Sequence, residues 1–568
     1  MKFSINFHIL KKPYLIIFSL IWSLLFSVSL MKYQGSAFAF TLFSFSFLIL
    51  LFLGFYKNKS YAFMYLAVFL WLGFWTKLVA HLLLDYEYIE PIGVFSGSTG
   101  EWDQVLWVST IACLGVIIGR FLYAILNFKV ADDNQNNNVY PEWYPTIRIK
   151  VWALFIVIVI LATVSNTVLG INQIGLSPRT ILPWPLNALI SWIVSIGGVM
   201  GLATLIWWDI SLKKGVYPAL FAITIEAFIS SISLFSRGVF IFHSIPQFIA
   251  LYKNKLLDNF SKKRLAIVGC FILIFFVLSL AIVSVLRANF YSQDGITTTT
   301  KSQISLNRLE VLKGGIARVK KLIRQGGDHK AHLAELLIEQ EGLQMKVSNS
   351  TSDFRLKLIK ENEDTREIPD SINDKNVIID HQVQFDRINE SVALKEFYYQ
   401  LTQGVFLKVL ALSVDRWVGL EGVMAVVSYP NKGRALIIDT FIEKRTPGEV
   451  TRYQEIANSK YQWVDSNVWQ FASLPGAVAF LYFSGSFWIV LFGMILFAFL
   501  VQFLEFLIYK GTRNPILCSL LGVSIANNVT QFGIAPAQGS VYLLMIFVGV
   551  LTIAIVQNLK LITNKLFS

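Results

Sequence analysis

The run LAIVGCFILIFFVLSLAIVSVL, residues 265–286, is 22 residues long and carries no charge. At 1.5 Å per residue, about 20 such residues take a helix across the hydrocarbon core of a bilayer. Lys262, Lys263 and Arg264 precede the run and Arg287 follows it. From Arg287 the character changes, because residues 287–470 are polar and hold 25 Lys and Arg against 24 Asp and Glu. The stretch therefore poses the two questions of the fold: what surrounds it, and which side of a membrane the polar insert faces.

Comparable runs recur along the chain. They predict spans at 13–30, 38–56, 61–84, 105–126, 151–169, 186–208, 217–234 and 239–252 before this one, and at 487–508, 516–532 and 541–555 after the insert. With 55% hydrophobic residues, 15% charged residues and a mean hydropathy of +0.57, the chain has too much apolar surface for a soluble core. The expected fold is an all-α polytopic membrane protein of about 12 transmembrane helices with one large outward-facing, mostly helical loop. Its parts are an N-terminal bundle (1–286), the loop (287–470) and a C-terminal bundle (471–568). The net charge of +13 does not point to nucleic acid, since the insert nearly balances and the excess lies in short loops. Cys113, Cys270 and Cys518 all lie in apolar runs, which argues against a disulfide framework or a cysteine metal site. The basic start, 1–12, leads into a first span with no small-residue cleavage site after it, so that span is expected to be retained.

An inside N-terminus places nearly all short basic loops on one side: Lys57 and Lys59; Lys129, Arg148 and Lys150; Lys213 and Lys214; Lys253 to Arg264; Lys510 and Arg513; and the tail with Lys560 and Lys565. The opposite loops are acidic or nearly uncharged, as with Glu87, Glu90 and Glu101, and the insert then faces outward. One tilted helix in place of the two short spans around Arg237 would put the basic loop 253–264 outside, so two spans are preferred. Within the insert, 292–300 and 346–375 read as loop or partly disordered, and 306–343 has helical spacing. The more apolar stretch 396–430 suits a helix lying on the membrane surface, and Pro447 and Gly448 break the chain before the aromatic segment 461–471.

Ionisable residues within spans are costly and point to function. Lys77, His81 and Asp85, at i, i+4 and i+8, share one helix face near the outer end of the third span. They would line a cavity, or form an interfacial charge ladder with Lys77 snorkelling. Arg237, at the outward turn Ser236-Arg237-Gly238, suits phosphate oxygens, or else caps free carbonyls of the turn. Glu226, nearer mid-membrane, is expected to pair with a buried cation. Ser524, Asn527 and Gln531, with Asn528 and Thr530, make a polar stripe that must face protein or a cavity. The insert supplies Arg287, Asp415-Arg416-Trp417, Glu421, Arg434, Arg445 and Arg452. These arginines can neutralise a pyrophosphate leaving group and a carboxylate, Asp415 or Glu421, can take a proton, or the same residues can form salt bridges within the insert. Asp328, His329 and His332 are a weak metal set, and neither metal nor cofactor is expected. No phosphate-binding P-loop, GxSxG elbow or zinc-protease helix is present.

The many-spanned layout, the turn 236–238, the segment DRWVGLE at 415–421 and LPGAVA at 474–479 resemble the Wzy-type O-antigen and oligosaccharide repeat-unit polymerases. That resemblance implies a membrane glycosyltransferase of the bacterial inner membrane with cytoplasmic termini and a periplasmic loop. Donor and acceptor would be polyprenyl-pyrophosphate-linked glycans, transferred with inversion and without metal, alongside a chain-length regulator and a flippase as partners. Arg237 and Arg416, then Arg287 and Arg434, are the expected pyrophosphate ligands, with Glu421 or Asp415 as base. The rivals are an O-antigen ligase acting on lipid A core and a lipid-linked oligosaccharide flippase or transporter.

Overall fold

In the computed structural model the described residues are 13–56, 58–84, 88, 90–126, 139–258, 260–293, 414, 416–443, 450–459, 473–532 and 536–558. Their regular structure is helical, with no strand among them. Helices α1 (Pro13–Lys32), α2 (Ala37–Phe55) and α3 (Tyr61–Trp71) lead through a π-helical turn, Leu72–Thr76, into α4 (Lys77–Leu84). Next come α5 (Thr99–Ile125), α6 (Tyr144–Leu169) and α7 (Trp184–Trp192), the last joined by a second π-helical turn, Ile193–Gly197, to α8 (Gly198–Ser211). The N-terminal half closes with α9 (Val216–Ser233), α10 (Arg237–Lys253) and α11 (Lys262–Gln293). Beyond the insert's first part lie α12 (Leu420–Ser428), α13 (Arg434–Ile442), α14 (Arg452–Ile456), α15 (Gly476–Tyr482), α16 (Phe487–Thr512), α17 (Pro515–Gln531) and α18 (Pro536–Gln557).

Among the described residues, nine helices are long and apolar enough to cross a membrane. All twelve predicted spans fall on helices, and those outside the nine are α1, α10 and α17. The chain reverses between α9 and α10 at Leu234 to Ser236, so this region is two helices rather than one. Residues 1–284 with 410–568 form one compact unit and 285–409 a second, so the part of the insert from 410 onward belongs with the spans. The stretches 306–343 and 346–375 and the segment 461–471 lie outside the described residues.

The main core joins α2, α3, α5, α12, α15, α16 and α17. α5 and α16 approach closely because Gly115 and Gly119 recur every four residues. A Cβ at either would sit 2.6 Å from a carbonyl oxygen of α16, that of Leu491 or Ile495. Glu505 of α16 is buried and accepts from Tyr61 N and Ala62 N, each at 2.8 Å, and from Ser60 Oγ, which caps the N-terminus of α3. α6 is the reverse case, exposing Leu154, Val157, Leu161 and Val168 to the surroundings.

Contacts between loops sort the ends of the first unit. At one end Lys253 Nζ reaches Lys59 O at 3.5 Å, Asn254 donates to Tyr61 Oη at 3.0 Å, and Gln557 Nε2 bonds both Val139 O and Thr512 O at 3.3 Å. These are the loops that the charge pattern groups together. At the other end Asp103 accepts from Tyr33 at 2.9 Å and from Ser36 N at 2.8 Å, and Ile174 N donates to Leu234 O at 2.9 Å.

Candidate functional site

The third span is not a uniform α-helix. Its π-helical turn, Leu72–Thr76, brings Gly73 against the loop that enters α12, where a Cβ on Gly419 would lie 2.6 Å from Gly73 O and one on Gly73 would collide with Val418 O. One turn on, Lys77 is fully buried and its Nζ stands 2.5 Å from Glu421 Oε1, itself 3% exposed. Lys77 therefore does not snorkel; its partner comes from the insert. Residues 420–427 are all buried, which corrects the expectation that 396–430 lies on the membrane surface, at least for its described part. The physical reason is pairing at both ends of α12. Glu421 meets Lys77 in the first turn, where the helix dipole also favours a carboxylate, and Lys432 Nζ donates to Val427 O at 2.7 Å and Tyr429 O at 2.5 Å past the last. Burial holds the Lys432 ammonium below the usual lysine range.

α15 is the second short buried helix of this layer. Gly422 lies so close to it that a Cβ would overlap Pro475 O. Tyr453 of α14 is buried beside Glu421 and Glu90; burial pushes its phenol up, and the two carboxylates add to the effect. His81 stacks on Tyr88 with ring centroids 3.6 Å apart. Sequence reasoning thus named Lys77, His81 and Glu421, and the structure brings Lys77 and Glu421 into contact. It missed Tyr453, Tyr88, Glu90 and the capping role of Lys432, none of which has a spacing signal.

Arg237 is the first residue of α10 and is exposed, with no side-chain partner among the described residues. Ser236 makes no side-chain cap, and no bond from Arg237 to a carbonyl of the turn, the alternative to phosphate binding, occurs among the described residues. The turn before it puts buried Phe235 at φ +53, a left-handed conformation that costs a bulky residue energy. Arg434 repeats the arrangement at the start of α13: exposed, unpaired among the described residues, and preceded by a Gly433 that makes no cap. A cation at a helix N-terminus opposes the helix dipole, whereas free N–H groups there favour an anion. Arg416 is exposed in the loop before α12. Its neighbour Trp417 stacks on Phe69 at 5.1 Å, and Phe69 meets Phe242 of α10 at 6.2 Å, so the Arg416 loop and α10 share this end of the unit.

The polar stripe of α17 divides. Ser524 bonds Tyr542 of α18 and Leu520 O, and Thr530 bonds Ala526 O at 3.0 Å, which is packing within and between helices. Asn527 and Gln531 are half-buried and have no side-chain partner among the described residues. Glu226 pairs with a histidine and a serine in place of the expected cation: His243 Nδ1 lies 3.1 Å from Glu226 Oε1, and Ser230 Oγ donates to the same oxygen at 2.7 Å. Arg452 pairs with Glu455 at 3.1 Å, as the salt-bridge reading expects. Arg287 is half-buried on α11 and falls in the second compact unit. Asp85, Asp415, Arg445, Asp328, His329 and His332 lie outside the described residues. Among the described residues no three His, Cys, Asp or Glu groups are close enough to hold a metal. Compared with protein-family models, curated proteins and solved structures, the chain matches none.

Proposed function

We propose that the protein is a polytopic glycosyltransferase that polymerises polyprenyl-pyrophosphate-linked oligosaccharide repeat units at the outer, periplasmic face of a bacterial inner membrane. The observation that carries this reading is Arg237: an exposed guanidinium, unpaired among the described residues, at an uncapped helix N-terminus on a strained turn. That position has no stabilising role for a cation by itself and suits a pyrophosphate, which both the guanidinium and the helix end attract. Arg416 and Arg434 add exposed positive charge, and Trp417 stacked on Phe69 of α3, which in turn meets Phe242, ties the Arg416 loop through α3 to α10. In this reading the arginines take up the charge that develops on the departing lipid pyrophosphate while a sugar hydroxyl of a second lipid-linked unit attacks the anomeric carbon. Lys77 and Glu421 hold α12, and with it the Arg416 loop, in place. Arg237→Ala and Arg416→Ala are expected to abolish long-chain glycan while protein level and lipid-linked single repeats persist. Normal chain-length ladders in both variants would reject the assignment.

One observation favours a second reading. Two short buried helices, α12 and α15, and two buried pairs, Lys77–Glu421 and Glu226–His243, resemble the broken helices and buried polar sites of transporters, here of a lipid-linked oligosaccharide. Deletion of the gene and gel analysis of surface glycan separates the cases. Single-repeat product supports the polymerase, polymer left on the lipid carrier supports a ligase, and intermediate trapped in the inner leaflet supports the transporter.

A further inference from the structure

Between α9 and α10 lies a polar cluster that the arginines and the Lys77–Glu421 pair leave unused. Glu226 is the only charged residue of α9, and α17, which also packs on α10, has none. The other neighbours of α10 contribute rings, Phe69 of α3, whose helix is uncharged, and Phe276 of α11, whose Lys262, Lys263, Arg264 and Arg287 lie toward the helix ends; α6 and α8, which pack on α9, carry Arg148, Lys150 and Asp209 near their ends, with Arg148 bonded to Asp209. On α10 itself Arg237 and Lys253 are at the two ends. No lysine or arginine of these helices therefore stands beside Glu226, and its partners are His243 and Ser230.

The pair is built in one orientation. Glu226 accepts through Oε1 from Ser230 and from His243 Nδ1, at 2.7 Å and 3.1 Å, and the side chains of Glu226 and His243 are only 7% and 8% exposed. A carboxylate held against Nδ1 keeps the proton on that nitrogen and leaves Nε2 with its lone pair. Nε2 makes no hydrogen bond among the described residues. Gln247 spends its amide N–H on His243 O at 2.8 Å, and its buried Oε1 has no partner among the described residues. Pro246, lacking an N–H, cannot close the helical bond to Phe242 O. Nε2 and Gln247 Oε1 are thus two acceptors one turn apart on α10, without a donor among the described residues, and a hydroxyl is a group that can satisfy them.

We propose that His243 is the general base of the glycosyl transfer and that Glu226 is its positioning residue, an inference that rests on the polymerase reading. The acceptor sugar hydroxyl gives its proton to His243 Nε2 as its oxygen bonds to the anomeric carbon. The bond from that carbon to the pyrophosphate oxygen breaks, and the leaving group departs with the electron pair toward Arg237. The imidazolium then releases its proton to water. His243 is six residues along α10 from Arg237, an axial distance of about 9 Å. Glu421 is a poorer choice of base, because the Lys77 ammonium already occupies its carboxylate.

The test uses purified full-length protein in lipid nanodiscs with a polyprenyl-pyrophosphate-linked oligosaccharide repeat unit, assayed across a pH series. Wild type is expected to lose kcat as pH falls and the imidazole becomes protonated. His243→Gln is expected to lose about 100-fold or more in kcat, the usual scale of general-base catalysis, with KM unchanged and the acid limb gone. Glu226→Gln can donate to Nδ1, which moves the proton to Nε2, so it is expected to lose kcat similarly while Glu226→Asp recovers it. Wild-type kcat and an unaltered acid limb in His243→Gln or Glu226→Gln overturn the assignment. If a variant does not fold, the wild-type profile decides, and a profile without an acid limb rejects His243. Polymer that depends on Arg237 but not on His243 removes this inference alone, whereas no polymer from wild type removes the polymerase reading as well.

Discussion

Lys77 shows how much one side chain can carry and how little of that its spacing reveals. The i, i+4, i+8 pattern placed Lys77 and His81 on one face, and both are buried. The partner of Lys77, however, is 344 residues away, a distance that no local periodicity can span. Removing one member of a buried ion pair leaves an uncompensated charge, which costs about 3–5 kcal/mol. Lys77→Met is therefore expected to lower the thermal midpoint of the detergent-solubilised protein, and the double variant Lys77→Met, Glu421→Leu to recover most of it. A double variant as unstable as the single one would contradict the pairing. Glu443, outside the spans, gives a pH test. Burial raises its carboxyl above 4.5, against the Arg452 N–H and guanidinium, so the folded state binds its proton more tightly than the unfolded one. That stability is fully present below the unfolded value and is lost as pH rises through the folded one. Wild type should thus lose thermal stability in the window just above pH 4.5, a slope that Glu443→Gln is expected to lack.

Among the elements, the spans were legible and the short helices were not. A run such as 265–286 announces itself by length and composition, and a turn at Leu234 to Ser236, just before Arg237, separates two helices as the charge alternation requires. The stretch 396–430 reads as surface-lying because charged residues interrupt its apolar run, and the sequence alone does not show that Lys77 compensates for the charge of Glu421. The signal that was available is the small residue on each contact: Gly73, Gly419 and Gly422 sit where backbone meets backbone. Gly422→Ala is expected to destabilise the protein by about 1–3 kcal/mol, the usual cost of overpacking, and to lower polymer output. Gly100→Ala, with open space around it, should change neither. Equal unfolding midpoints for these two variants would mean that α12 and α15 are not packed as described.

For the whole molecule, loop contacts group the ends as the charge pattern does, so topology can be tested independently of activity. Gly100→Cys and Asn431→Cys are expected to react with a membrane-impermeant maleimide in intact cells. Lys59→Cys and Lys510→Cys are expected to react only after permeabilisation; the opposite pattern would invert the protein. The same architecture also constrains how the chain is made. At nine and seven residues, α12 and α15 are far below the roughly 20 that cross a bilayer, so the insertion machinery has no reason to retain them as they emerge. Both pack against α5, and α15 also against α16 and α17, which are synthesised after them. α12 and α15 therefore take their final places in the bundle only after the last spans have been made. Until they do, Lys77 stands in the membrane without Glu421, and a nascent chain stalled before residue 487 has no way to supply the seat that α15 requires.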